Sequence, residues 1–290
     1  MELLFEPFTY TYMRNAIWVC ALVGGVCAFL SAYLMLKGWS LMGDALSHAI
    51  VPGVAGAWLL GLPFSLGAFF AGSLAAGAML FVRQRTRLRE DVVIGMIFSS
   101  FFGLGLFMLS LSPLPVNVMT LAQGNILAIT PHDTLQLALI GALSLALLLW
   151  KWRDLLAVFF DEHHAHAIGL NPLWLKTLFF ALLSACTVAA MMTVGAFLVI
   201  AMVVTPGATA YLLCDRFPRV LIMSVLIGSG SGALGAYISY FMDGATGGIV
   251  VLLQSFLFLL AFVFAPKHGH LAARRHQLKQ NLSQVAAEPA

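Results

Sequence analysis

Long apolar runs separated by short polar breaks follow one another along nearly the whole chain. They lie near residues 14–36, 46–62, 64–82, 92–111, 133–150, 173–192, 194–213, 219–241 and 246–265. Each is close to the roughly 20 residues that a helix needs to cross a bilayer. The pattern predicts an all-α protein, a polytopic transmembrane helical bundle of eight or nine spans. The stretch from Asn171 to Leu213 reads either as two straight helices or as one broken helix, because Gly195 and Pro206 interrupt it. Beyond Pro266 the sequence turns polar. Residues 1–266 therefore read as one membrane domain and 267–290 as a cytoplasmic, disordered tail.

Composition narrows the class further. Of 290 residues, 61% are hydrophobic and only 9% charged, and the mean hydropathy is +0.96, which excludes a soluble globular domain. The few cations are not scattered. Arg83, Arg85, Arg87 and Arg89 crowd one break, Lys151 and Arg153 a second, Arg216 and Arg219 a third, and Lys267, Arg274, Arg275 and Lys279 the tail. The positive-inside rule makes all four regions cytoplasmic. Three spans precede Arg83, so the N-terminus with Glu2 and Glu6 falls outside, and the parity of the remaining spans favours nine. Orientation accounts for the net charge of +3 without a nucleic-acid partner. The first apolar run starts too late and runs too long to be a cleavable leader.

Several motifs lose their usual meaning in this setting. Gly230-Ser231-Gly232-Ala233-Leu234-Gly235 fits the dinucleotide pattern by letter but lies inside an apolar span and follows no strand. Gly228, Gly232 and Ala236 instead form a small-residue stripe for close helix packing, as do Gly67, Ala71 and Ala75. The chain has no phosphate-binding GxxxxGK[ST] loop, so any ATP-driven step needs a separate ATPase subunit. Cys20, Cys27, Cys186 and Cys214 have no ligand spacing and read as packing residues. His163, His164 and His166 lie beside Asp161 and Glu162 without the HExxH spacing of a zinc hydrolase, and read as a solvated cytoplasmic loop. The tail histidines His268, His270 and His276 read the same way, and His132 as the polar entry to a span on the outer side. No nucleophile or water-activating set appears, so the chain is not expected to be an enzyme or to carry a cofactor.

Asp44 and His48 are different. They stand four residues apart in Gly43-Asp44-Ala45-Leu46-Ser47-His48-Ala49-Ile50-Val51-Pro52-Gly53, which places both on one face of a helix. A carboxylate oxygen with an imidazole nitrogen suits a first-row transition metal, and polar groups at membrane depth are costly unless paired or used. Asp44 also reads as a simple cap for the helix that follows. His48 lies a full turn further in, and Pro52 one turn beyond can free a backbone carbonyl to join a cation site.

The same stretch resembles the signature of the bacterial manganese, iron and zinc ABC-transporter permeases, the ABC-3 family, and looks most like the manganese/iron branch. Further segments match in order: 89–98, 124–127, 194–199, 205–210 and 243–248. The resemblance covers roughly residues 10–268. One departure is Gly244, where the family commonly has a proline. The resemblance implies the topology of a B12-permease-like type II importer in the bacterial inner membrane. It implies transport of a divalent metal (manganese or iron, possibly zinc) past Asp44 and His48. The partners implied are a cytoplasmic ABC ATPase, a periplasmic or lipid-anchored metal-binding protein, and a second permease copy or a homologous permease. Ala165-His166-Ala167-Ile168-Gly169-Leu170 is similar to the cytoplasmic loop by which B12 and siderophore permeases dock on their ATPase. The resemblance thus makes residues 154–172 a coupling loop, with Ala165, Ala167 and Gly169 at the contact. A siderophore or B12-type permease and a stand-alone ion-coupled carrier remain as alternatives. A bulky organic ligand gives no reason for an aspartate and a histidine on one helical face, and a coupled carrier should show more intramembrane carboxylates.

Overall fold

The fold is described from a computed structural model covering residues 2–39, 41–86, 88–111 and 131–265. The 124–127 segment and the tail with its three histidines lie outside the described residues. Within them the elements are helices only. A short helix α1 (Glu2–Thr9) precedes α2 (Thr11–Lys37). Next come α3 (Met42–Ala49), α4 (Val51–Leu60), α5 (Phe64–Arg85) and α6 (Glu90–Leu111). After the 112–130 segment the chain continues as α7 (Pro131–Trp150), α8 (Trp152–Phe160) and α9 (Glu162–Ala167). It then forms α10 (Pro172–Val194), α11 (Ala196–Leu213), α12 (Phe217–Met242) and α13 (Thr246–Phe264).

Eight of these helices are long and apolar enough to cross a membrane. The ninth apolar run behaves differently from the rest. Rather than one helix over 46–62, the chain forms α3 and α4 with a break at Ile50. Together they run antiparallel to α5: Met42 lines a small apolar cavity with Met79, Leu80 and Arg83, while Gly53 lies against Gly67. The apolar run 46–62 is thus a pair of short helices laid along α5, not a single long helix like the other eight. Pro52 is the physical reason for the break. It has no N–H to give to the His48 carbonyl four residues back, and that carbonyl accepts from Ile50 N–H instead.

The run from Asn171 to Leu213 resolves into two helices that reverse at Gly195 (φ 89°). Pro206 does not end α11. Ser31 of α2 reaches into the turn around it, donating to the Val204 carbonyl at 3.1 Å and accepting from Gly207 N–H at 3.1 Å. A hydroxyl from a neighbouring helix thus bonds backbone groups on both sides of the proline.

Helix α2 is the axis of the bundle. Its small residues meet those of α12 backbone to backbone: a Cβ on Gly24 would lie 2.2 Å from the Gly228 carbonyl oxygen, and one on Gly232 lies 2.4 Å from that of Cys20. The dinucleotide-like letters in α12 are therefore part of a packing seam. Ser224 donates to the Ala28 carbonyl at 2.6 Å across the same seam. Cys20, Cys27 and Cys186 are buried as packing residues. Among the described residues, the positive ends gather on one side, with Lys37 closing α2, Arg83 and Arg85 closing α5, and Lys151 preceding α8. On that side Tyr33 packs against Phe159, Phe179 and Phe217 and donates to the Trp152 carbonyl at 3.1 Å. This cluster seats α8 under the bundle.

Candidate functional site

Helix α3 is wedged among its neighbours. Gly43 abuts Val203 of α11, and Ile50 reaches Gly72 of α5. Of its eight residues only Asp44 and His48 are not buried. The four-residue spacing therefore does what it predicts, opening a carboxylate and an imidazole on one face. Asp44 Oδ1 and His48 Nε2 lie 3.3 Å apart, with side chains 45% and 36% exposed in the isolated chain. Leu41, not Asp44, occupies the N-cap position, and it makes no side-chain capping bond.

The imidazole is held from the other side by two aromatic rings of α6. Phe98 and Phe102, also four residues apart, both present themselves edge-on with centroids 5.4 Å from His48. They stack on each other at 5.9 Å. Neither ring was singled out by sequence reasoning, although their i, i+4 spacing beside a polar span was the available signal.

Two atoms bound at about 2.1 Å to one ion, at octahedral or tetrahedral angles, stand roughly 3.0–3.4 Å apart. The observed Asp44–His48 separation falls in that interval. Among the described residues no three His, Cys, Asp or Glu side chains converge on a common point. The pair can therefore offer two ligands, and no third His, Cys, Asp or Glu among the described residues joins them, while the His48 carbonyl, with a second lone pair, lies at the helix break.

At the end of the bundle where the cations gather, α9 carries the residues of the expected coupling loop. Asp161 caps it, accepting from the backbone N–H groups of His163 at 2.9 Å and His164 at 3.1 Å. The His164 N–H is the main reason its carboxyl sits below the ordinary value, against some desolvation. Ala165 is buried, whereas Ala167, Ile168 and Gly169 are exposed, and Gly169 takes φ +83° to turn the chain back. The histidines His163, His164 and His166 point outward. Glu162 turns inward. Desolvation works against its charge, but a hydrogen bond from Lys176 and the charges of Lys176, Arg83 and Lys37 bring its carboxyl below the ordinary value. Lys176 was missed as well. A lysine one turn inside an apolar span was its signal.

Eight apolar helices among the described residues, with a broken helix pair carrying polar groups on an open face, define the class: a multi-pass integral membrane protein built around a central buried helix. The chain belongs to the ABC 3 transport family, whose sequence profile matches residues 9–265. It is 64% identical over 281 residues to the chelated iron transport system membrane protein YfeC of Yersinia pestis, covering 97% of this chain and 96% of that one. It is 46% identical over 269 residues to the manganese transport system membrane protein MntB of a Synechocystis strain, covering 93% and 88%. Among solved structures, PsaBC from Streptococcus pneumoniae in complex with Fab superposes with a TM-score of 0.80 at 34% identity. That match covers 91% of this chain and 96% of the other.

Proposed function

We propose that this chain is the permease subunit of an ATP-driven importer that carries divalent iron or manganese across the membrane past Asp44 and His48. The observation that carries this reading is the open face of α3. A carboxylate and an imidazole, on a helix otherwise buried, face outward from the single chain. Lipid on that face would cost several kcal/mol, so it must line a water-filled path or meet another protein surface. A second copy or a homologous permease, related by a two-fold axis, supplies that surface and places the path between the two. Two side-chain ligands bind an ion weakly enough to release it, which a conducting site requires. Family membership and the iron and manganese relatives support the cargo.

ATP hydrolysis then belongs to a cytoplasmic subunit seated on the outward residues around Ala167 and Gly169, with the buried Ala165 setting the pitch of the helix beneath. A metal-binding protein delivers the ion outside. The test is uptake of radioactive manganese and iron by vesicles holding the reconstituted complex. Asp44→Asn and His48→Gln should each lower uptake by about ten-fold or more, since each removes one of two ligands while keeping size. Folded yield should not change. Uptake at the unaltered rate in Asp44→Asn would reduce that residue to a structural feature of α3.

A further inference from the structure

We propose that Glu162 is a positioning residue that transmits movement of the cytoplasmic helix α9 to the Asp44–His48 pair, through Arg83, Glu90 and Trp39. The inference rests on the transport reading above. One oxygen of Glu162 gathers three cations: Lys37 at 3.8 Å, Arg83 at 3.7 Å and Lys176 in direct contact. They come from three different spans, the C-terminal ends of α2 and α5 and the start of α10. Lys176 is 6% exposed, so water offers little substitute for its partner. A single carboxylate on a six-residue helix therefore ties that helix to three membrane crossings.

The network continues toward the cation pair by two routes that share a link. Arg83 Nη2 lies 2.6 Å from Glu90 Oε1, and Glu90 is the first residue of α6. Two and three turns further along α6 stand Phe98 and Phe102, the rings that flank His48. The other oxygen of Glu90 accepts from Trp39 Nε1. The Arg83 guanidinium also covers the Trp39 ring at 5.0 Å. Trp39 is buried, stacks on Phe180 at 5.3 Å and stands three residues before α3 begins. Displacing α9 thus pulls on Arg83, and Arg83 governs both the start of α6 and the approach to α3. The two helices that form the site are moved from one point. Without the Glu162 charge, Lys37, Arg83 and Lys176 lose the partner they share, Arg83 alone keeps its pair with Glu90, and the three cations repel one another, so the three spans no longer follow α9.

The experiment uses the complete complex with its ATPase in vesicles and measures metal delivered per ATP hydrolysed. Glu162→Gln and Glu90→Gln should each lower that ratio about five-fold while the ATPase still co-purifies and still hydrolyses ATP. Glu162→Asp, which keeps the charge, should retain at least about half of the ratio. The double variant should be no worse than the poorer single one, because both residues lie on one path. Losses that multiply, or single variants with the unaltered ratio, would overturn the relay. Should Glu162→Gln lower folded yield, Lys37→Gln weakens the same network more gently and should lower the ratio about two-fold; no change there also overturns it. If the unaltered complex delivers no metal on ATP addition, the transport reading itself fails, and the relay with it.

Discussion

Helices α2 and α6 are both long, apolar crossings, but they are used in opposite ways. In the most apolar stretch of α2, 78% of residues are buried within the chain, against 22% in α6. Small residues bring α2 into backbone contact with α12, and Ser31 and Ser224 lock the contact with hydrogen bonds across to α11 and α2. Among the described residues, helix α6 touches its own chain mainly through α3, α4 and α5, and two glycines on it, Gly95 and Gly103, have nothing within 4 Å of where a Cβ would stand. The polar pair sits against this second, open region. Close packing thus builds a fixed scaffold on one side, leaving on the other a surface whose polar and small residues make sense only with something opposite them.

The largest effect is expected from breaking the scaffold. Gly24→Leu places a branched side chain where the Gly228 carbonyl stands, 2.2 Å from the new Cβ, and backbone cannot yield as a side-chain tip does. Overpacking of this kind costs about 1–3 kcal/mol or more. Most of the folded, monodisperse protein should be lost, as read by size-exclusion profiles of detergent extracts. Normal yield would show that the seam is looser than its distances imply. Gly103→Leu is the matched change in the open region, and there the single chain should fold as before. If a second permease covers α6, uptake should drop by about five-fold even so, because close helix approach across an interface depends on small residues. Unchanged uptake would place lipid, not protein, against this part of α6.

How far each region could be read from the sequence follows the same division. The scaffold spans were legible because length and apolarity are properties of the residues themselves, and Gly228 with Gly232 announced the seam by spacing alone. The loop cations pointed to the end of the bundle where the charged helix ends gather, since Arg and Lys concentrate near span ends. The broken helix pair was harder: Pro52 pointed to a disturbed carbonyl, yet hydropathy joined residues 46–62 into one run and placed the start after Asp44 rather than at Met42. Helix α1 was invisible because eight residues with Pro7 inside carry no membrane signal. Phe98, Phe102, Glu162 and Lys176 acquire meaning only through partners distant in sequence, which no local pattern encodes. Their roles needed coordinates. Asp44 and His48 were legible because each is out of place among its neighbours, and a misplaced polar residue is visible without knowing what it touches.

The smallest effect is expected at the histidines of α9, the most conspicuous cluster in the sequence. Replacing His163, His164 and His166 with Gln, alone or with the three tail histidines, should change metal uptake by less than about two-fold. The reason lies in how α9 is built. Asp161 takes its capping bonds from the backbone N–H groups of His163 and His164, which glutamine supplies equally well, and the imidazoles themselves point to solvent. Among the described residues they join no third ligand set. The inward anchor of the helix is Glu162, which the change leaves in place. Initial uptake rates in metal-starved and metal-loaded vesicles decide the matter: equal behaviour of the variant and the unaltered protein in both leaves these side chains as a solvated surface. A variant that transports normally when starved but fails to slow when loaded would make this cluster a metal sensor, and would shift the working part of the molecule from the open face of α3 to the cytoplasmic helix.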